Sequence, residues 1–119
     1  MMDAAALRAY CLSKNFARED YPFGDDIAVY KAGNKVFALI PVSGPLRISL
    51  KCDPLLAEMQ RQTYEAVTPG YHLNKRHWNT VAIDGSIPDD EILEMVDHSY
   101  EQVIRKMSKA ERRQLGDRA

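Results

Sequence analysis

Residues 70–81, which read GYHLNKRHWNTV, hold the densest group of side chains that could bind a ligand or do chemistry. Hydrogen-bond donors and aromatic rings occur there side by side: Tyr71, Asn74, Lys75, Arg76, His77 and Trp78. Cationic and amide donors contact phosphate oxygens, and flat aromatic rings stack on bases. The segment therefore predicts a surface for a polyanion such as DNA.

Two other interpretations of this segment stay open from the residues alone. In the first, Trp78 belongs to the core, Tyr71 packs the loop, and the basic residues pair with acids of the last helix. In the second, His72, Asn74 and Trp78 line a groove of a small-ligand or protein-interaction module and hold a metabolite or peptide carboxylate. The salt dependence of the affinity distinguishes this second interpretation from DNA binding, because a dry pocket loses less affinity at high ionic strength than a surface that contacts phosphates.

The spacing of potential ligands predicts no metal site and no cofactor. His72 and His77 are five positions apart, and neither has a cysteine or a carboxylate at the spacing of a metal site. The acidic residues of 19–26 lack EF-hand spacing. The acids that follow Pro88 stand where the start of a helix favours negative charge.

Motifs of known catalytic sites are also missing, and we expect a protein that is not an enzyme. The sequence has no glycine-rich phosphate loop, GxSxG or HExxH. Asp97, His98 and Ser99 have the residue types of a hydrolytic triad. Consecutive residues of a helix project about 100° apart, however, so these three side chains are not expected to converge.

The formal net charge of -1 conceals a strong segregation of charge along the chain. Residues 1–30 carry three basic and five acidic groups, and residues 31–77 carry seven basic and three acidic groups. Residues 78–104 contain seven acidic groups and no basic group, whereas residues 105–119 contain six basic and two acidic groups. A DNA-binding surface is expected from the second block, with the acidic third block on the opposite side of the molecule.

Length and composition set the class of protein. A chain of 119 residues with 45% hydrophobic residues predicts one globular domain. No segment approaches the ~18 consecutive apolar residues of a membrane helix, and the N-terminal residues lack the pattern of a signal peptide. We therefore expect a cytoplasmic protein without a membrane partner. Cys11 and Cys52 have no CxxC spacing and are expected to be buried thiols.

Periodicity and turn residues predict the elements of the first half of the chain. A helix is expected over 3–15, followed by strands over 27–31, 35–42 and 46–51 with a tight turn at Gly33 and Asn34. A second helix, capped by Asp53, should fade near Thr63. Its expected buried residues are Leu55, Leu56 and Met59.

The second half of the chain is predicted to add a strand from His77 and a long helix from Pro88. Apolar residues recur along this helix at helical spacing: Ile92, Met95, Val96, Ser99, Tyr100, Val103 and Met107. These elements predict a single α+β domain over residues 1–107, with an antiparallel sheet and helices packed on one of its faces. Residues 108–119 are expected to form a basic C-terminal tail or a short helix.

Several segments resemble the MmcQ/YjbR family of small bacterial proteins: YPFGDDIAVYKAGNKVFALI, ISLKCDP, PGYHLNKRHWNTVAIDGSIPDDEI and DHSYEQVIRKM. The resemblance covers nearly the whole chain and is most specific over residues 72–78. It implies a CyaY-like (frataxin-like) fold and a "double wing" type of DNA binding. Frataxin-like proteins also suggest iron binding, but the first helix carries only Asp3 as an acid and departs from their acidic ridge.

The residues and the resemblance together predict a non-enzymatic DNA-binding protein. The contacts are expected mainly with phosphate, from a basic sheet face and the adjacent loop, so affinity should be modest and fall steeply with salt. The predicted DNA-binding residues are Arg47, Lys51, Asn74, Lys75, Arg76 and His77.

Overall fold

Six antiparallel strands form one sheet in the order β1-β2-β3-β4-β6-β5 in the computed structural model, which describes residues 1–118. The strands are β1 Ala17–Asp20, β2 Ile27–Ala32, β3 Lys35–Pro41, β4 Arg47–Lys51, β5 Val67–Pro69 and β6 Trp78–Ala82. The helices are α1 Ala4–Leu12, α2 Pro54–Thr63, α3 Asp89–Arg105 and α4 Lys109–Arg118. The predicted fold class is confirmed, because the structure is α+β with helices packed on one face of an antiparallel sheet.

The core lies between the sheet and the helices α1 and α3. Alternate residues of the central strands point toward the helices, so Ile40, Ile48 and Val81 are buried against them. Leu7 of α1 and Val96 of α3 meet these side chains. The apolar stripe predicted for the long helix is confirmed, since its members are buried or pack against the core. Each fully buried aliphatic side chain contributes about 1.5–3 kcal/mol to stability.

The two outermost strands, β1 and β5, were not predicted from the sequence. β1 reads Ala-Arg-Glu-Asp and β5 has three residues ending in Pro69, so neither shows an alternation of apolar and polar residues. Both occupy edges of the sheet, where charged residues and proline are tolerated because one side of the strand needs no partner.

The burial predicted for α2 is wrong. Leu55 is 73% exposed and Met59 is 61% exposed, Leu56 is half-buried, and the residue that α2 buries is Ala57. The helix is rotated because its inner side provides hydrogen-bond acceptors for the buried amide of Asn79 on β6. A buried amide without these partners would be costly, so its contacts direct the helix more strongly than the apolar side chains do.

Both cysteines are buried free thiols, as predicted. Burial raises the pKa of the Cys11 thiol to about 12, and burial together with the charge of Asp53 raises the pKa of Cys52 to about 11. Within residues 1–118, no helix is long and apolar enough to cross a membrane.

The C-terminal segment begins a new helix rather than an extended tail. The Ser108 hydroxyl accepts a hydrogen bond from the Glu111 amide at 3.1 Å, which caps the start of α4. The Arg112 guanidinium donates to the Ile104 carbonyl oxygen near the end of α3 at 2.7 Å. The prediction for this segment extended to Ala119, which lies outside the described residues.

A cluster around Glu19 attaches the edge strand β1 to α1 and β2. The Glu19 carboxylate accepts hydrogen bonds from the hydroxyls of Tyr21 at 2.6 Å and Tyr30 at 2.8 Å, and from the Arg8 guanidinium at 3.0 Å. The bond from Tyr21, and after it those from Tyr30 and Arg8, lowers the pKa of Glu19 below its ordinary value of 4.5 although burial opposes this. The charged form of Glu19 is therefore the stabilising one.

We expect Glu19→Gln to lower the free energy of unfolding at pH 7 by about 1–3 kcal/mol, because the donors of the cluster lose a charged acceptor. Since the pKa of Glu19 is lower in the folded than in the unfolded state, its stabilisation is present above pH ~4.5 and is lost as the pH falls through the folded pKa. Urea unfolding between pH 7 and 3 should show a smaller loss of stability in the variant. The exposed Glu58→Gln serves as the control and should change stability by less than ~0.5 kcal/mol. Equal pH dependence of native protein and Glu19→Gln would contradict this assignment.

Candidate nucleic-acid interface

The loop of residues 70–77, here called the β5–β6 loop, closes one end of the sheet and folds onto the sheet face opposite the helices. The Gly70 amide donates to the Trp78 carbonyl oxygen at 2.8 Å, and the Tyr71 amide donates to the Thr80 hydroxyl at 3.2 Å. Thr80 and its neighbour Ser49 point away from the core and bond each other through their hydroxyls at 2.8 Å. The start of the loop is therefore held by hydrogen bonds to the backbone and to a side chain of β6, and that side chain is in turn bonded to β4.

Gly70 is required by the close approach of the loop to β6. A Cβ atom at this position would lie 2.7 Å from the Trp78 Cβ and 3.1 Å from the Trp78 carbonyl oxygen. Gly70 does not have a positive φ, so the reason for glycine here is space rather than backbone conformation. Gly70 thus sets the position of the loop against β6.

We expect Gly70→Ala to destabilise the protein by about 1–3 kcal/mol, because the added methyl group forces the loop away from Trp78. Chemical denaturation would give the loss, and amide exchange at Gly70 and Tyr71 should accelerate together with it. Pro69→Ala, at an exposed neighbouring position, is the local control and should cost less than ~1 kcal/mol. If the two variants were equally stable, the contact with Trp78 would not determine the loop.

Polar groups within the β5–β6 loop form hydrogen bonds that stabilise its turns. The Asn74 side-chain oxygen accepts from the Arg76 amide at 2.9 Å, and the Asn74 carbonyl oxygen accepts from the His77 amide at 3.2 Å. His72 has a positive φ of 56°, a conformation that is uncommon outside glycine. Asn74, predicted as a DNA contact, therefore has its oxygen engaged in shaping the loop.

Arg61 of α2 attaches the loop to the helix layer, and sequence reasoning did not identify it. Its guanidinium donates to the Asn79 side-chain oxygen at 2.6 Å, to the Trp78 carbonyl oxygen at 3.3 Å, and to the Lys75 carbonyl oxygen. The Asn79 amide nitrogen donates to Ala57 and Gln60 of the same helix, both at 3.2 Å. The signal in the sequence was a polar residue at a core-facing position of β6, which needs buried partners.

The cations of the loop, Lys75 and Arg76, are exposed. The Lys75 ammonium donates to the Gly70 carbonyl oxygen at 3.2 Å, which holds it beside Trp78. Lys51 is the Cα partner of Trp78 across β4 and β6, so the two side chains leave the sheet on the same face. Among the side chains of residues 1–114, no carboxylate oxygen lies within 4.0 Å of the side-chain nitrogens of Lys51, Lys75 or Arg76.

Two further lysines extend this group of cations. Burial, together with the nearby ammonium groups of Lys106 and Lys35, lowers the pKa of Lys51. Lys35 starts β3 at the same end of the sheet, and Lys106 follows the last residue of α3. We call the group of Lys35, Lys51, Lys75, Arg76 and Lys106 the basic end of the sheet. Lys106, which the sequence analysis did not single out, is brought to this end by the direction of α3.

Arg47, also predicted as a DNA contact, lies away from this group. It begins β4, and four steps along a strand at about 3.3 Å per residue place its Cα atom roughly 13 Å from that of Lys51. Arg47 lines a cavity on the open face of the sheet together with His72. Asn74 and Trp78, which the sequence grouped with His72 in a groove, do not line this cavity. His77 is half-buried, and its carbonyl oxygen accepts from the Cys52 amide at 2.7 Å.

Two acids of α3 have their partners on the helix side of the sheet. Asp97 pairs with Lys14 and accepts from the Tyr10 hydroxyl at 2.7 Å, and Glu91 accepts from the Tyr64 hydroxyl. The interpretation in which the basic loop pairs with this helix is therefore not what the described residues show. Trp78 is half-buried on the face opposite the core.

Asp97, His98 and Ser99 have separate partners, as the helical spacing predicts. His98 accepts from the Asp53 amide at 3.3 Å through its Nε2 atom. Ser99 accepts from the Lys51 amide at 2.8 Å and donates to the Phe37 carbonyl oxygen at 2.5 Å, bridging β3 and β4 where their own ladder ends. Among the residues that the structure describes, no three His, Cys, Asp or Glu side chains are grouped as metal ligands.

Comparisons with known proteins find relatives of one family. A family model described as YjbR matches residues 12–102. The uncharacterized protein YjbR of Escherichia coli K12 is 36% identical over 115 residues, which cover 96% of this chain and 98% of that protein. The uncharacterized protein YbdF of Escherichia coli O157:H7 is 32% identical over 80% of this chain and 79% of its own length.

Solved structures agree with the fold. The crystal structure of Deinococcus radiodurans protein DR2400, with domain DUF419, has a TM-score of 0.91 and 40% identity and covers 98% of this chain and 89% of that one. A Pseudomonas syringae protein has a TM-score of 0.73 and 28% identity over 85% of this chain and 98% of its own.

Proposed function

This chain belongs to the YjbR family, and we propose that it is a non-enzymatic DNA-binding protein whose basic end of the sheet contacts the phosphate backbone. One observation carries the proposal. Lys51, Lys75 and Arg76 lie at one end of the sheet, exposed or half-exposed, without an acidic partner among the described residues. Unpaired cations that the fold gathers in one place favour binding of a multivalent anion.

The arrangement of charge on the molecule supports the same proposal. Helix α3, which carries most of the acidic third block, packs on the face opposite the β5–β6 loop and is screened from it by the sheet. Arg61 adds a further positive charge behind the loop, where its partners are neutral carbonyl and amide oxygens. The charged side chains on the β5–β6 loop and directly behind it, those of Lys75, Arg76 and Arg61, are therefore all positive and favour a bound anion.

Phosphate contact rather than base reading fits the available side chains. The loop offers two long flexible cations, while Asn74, which could read a base edge, has its oxygen bonded to the Arg76 amide. Trp78 is half-buried beside Gly70, so its ring is not free to stack on a base from both sides. The proposed binding therefore has little sequence preference and modest affinity.

Fluorescence anisotropy with labelled duplex and single-stranded DNA tests the proposal. With about four phosphate contacts, the dissociation constant should rise about 100-fold between 50 and 200 mM salt, and unrelated sequences should bind alike. Duplexes of different sequence that differ more than about tenfold would contradict a phosphate-only contact. Failure to bind either form of DNA at 50 mM salt would overturn the proposal.

A further inference from the structure

A second site lies on the open face of the sheet, at the other end from the basic end. A cavity of about 280 Å³, open to solvent, lies there between strands β2 to β4, the β5–β6 loop and the segment before β2. Its volume is close to the lower end of the range for small-molecule pockets, about 300–1,000 Å³. The lining residues are Phe23, Ile27, Leu39, Pro41, Arg47, Ser49, Tyr71, His72 and Leu73.

The walls of this cavity are mostly apolar and expose two aromatic side chains to water. Phe23 is 68% exposed and Tyr71 is 66% exposed, and the rings of Tyr71 and His72 are 4.0 Å apart between centroids. Leu39 forms part of the floor and is nearly buried. Exposed aromatic side chains around a concave apolar floor are typical of a surface that a ligand covers.

Arg47 is the charged group of the cavity. Its side chain is half-buried, and among residues 1–114, whose side chains the structure describes, its guanidinium has neither a hydrogen-bond acceptor within 3.5 Å nor a carboxylate within 4.0 Å. The neighbouring Ser49 hydroxyl is already bonded to Thr80. A partly desolvated guanidinium with all its donors open binds a carboxylate in a bidentate manner.

We propose that this cavity binds a small amphipathic carboxylate, whose charged end pairs with Arg47 and whose apolar body lies on Leu39 and Pro41 between the rings of Phe23 and Tyr71. The volume fits an acid with one aromatic ring or a short acyl chain. A wider cleft on the other side of Arg47, about 630 Å³, is lined by Glu65 and Asp84 and would repel such an acid. The site is separate from the basic end of the sheet and does not depend on DNA binding.

Titration of the ¹⁵N-labelled full chain with 3-phenylpropionate, followed by amide NMR, tests this site. The acid should bind with a dissociation constant on the order of 1 mM and shift the amides of Ser49, His72 and Leu73. The neutral analogue 3-phenylpropan-1-ol should bind at least ~10-fold more weakly, because it has no charge for Arg47. Inorganic phosphate, which lacks an apolar body, should also bind at least ~10-fold more weakly.

Two variants distinguish the contribution of the Arg47 charge to binding from that of the apolar wall. Arg47→Met keeps the aliphatic stem and should weaken the acid about 10-fold while leaving the alcohol within about twofold. Tyr71→Ala, in the exposed part of the loop, should weaken both probes. Lys109→Met, an exposed cation of α4 outside the cavity lining, is the charge-matched control and should bind the acid like the native chain.

Several results would overturn the site. Equal affinity of the native chain for the acid and the alcohol would show that Arg47 does not bind the carboxylate. Equal affinity for the acid and phosphate would show that the apolar wall does not contribute to binding. Undiminished binding of the acid by a folded Arg47→Met variant, or amide shifts confined to residues outside the cavity, would do the same. The comparison of probes on the native chain decides the question even where Arg47→Met fails to fold.

Discussion

Replacing Lys75 and Arg76 together by alanine should flatten the salt dependence of DNA binding by about two units of the slope of log K against log salt, close to one unit for each lost phosphate contact. With about four contacts in the native chain, the loss of affinity between 50 and 200 mM salt should fall from about 100-fold to about 10-fold. Both side chains are exposed, so their removal should leave the fold intact. Anisotropy titrations at four salt concentrations measure this slope.

A double variant of equal charge gives the control. Lys109→Ala with Arg113→Ala removes two exposed cations from α4, outside the β5–β6 loop in sequence, and changes the net charge by the same amount. Its slope should match that of the native chain within about half a unit. An unchanged slope in a folded Lys75→Ala, Arg76→Ala protein, or an equal flattening in the control, would mean that the loop does not contact phosphate.

Replacing Asn79 by leucine should lower the free energy of unfolding by about 2–4 kcal/mol, the largest stability effect that we expect from a single substitution. Asn79 is 1% exposed and satisfies Arg61, Gln60 and the Ala57 carbonyl oxygen. Leucine has a similar size but leaves the half-buried guanidinium without its 2.6 Å acceptor. Urea unfolding measures the loss, and for a chain of this size the melting temperature should fall by roughly 10 °C.

The same substitution should also loosen the β5–β6 loop, because Arg61 positions both α2 and the loop backbone. Amide exchange at Gly70 and Leu73 should therefore accelerate more than exchange at Val29 in β2. Gln62→Leu, at an exposed site on α2, is the control and should change stability by less than ~0.5 kcal/mol. A stability loss below ~1 kcal/mol for Asn79→Leu would show that Arg61 finds other acceptors.

The sequence determined those elements in which local signals and burial agree. The turn at Gly33 and Asn34, the capped start of α2 at Asp53 and the apolar stripe of α3 were all predicted correctly, since each depends on neighbouring residues. The edge strands β1 and β5 were not predicted, because they are only four and three residues long and their own residues show no alternation of apolar and polar side chains.

The candidate site was determined only in part by the sequence. Composition identified Lys75 and Arg76 as donors in a loop beside Trp78, and the strand alternation placed Lys51 and Arg47 on one face. Only the tertiary structure decided that Lys51 lies with the loop and with Lys106, whereas Arg47 lies in an apolar cavity. The register of β4 against β6, which joins residues far apart in the chain, and the fold of the β5–β6 loop over the sheet set these distances. Residue types limit what a surface can bind, but the side chains that share a surface are chosen by long-range packing.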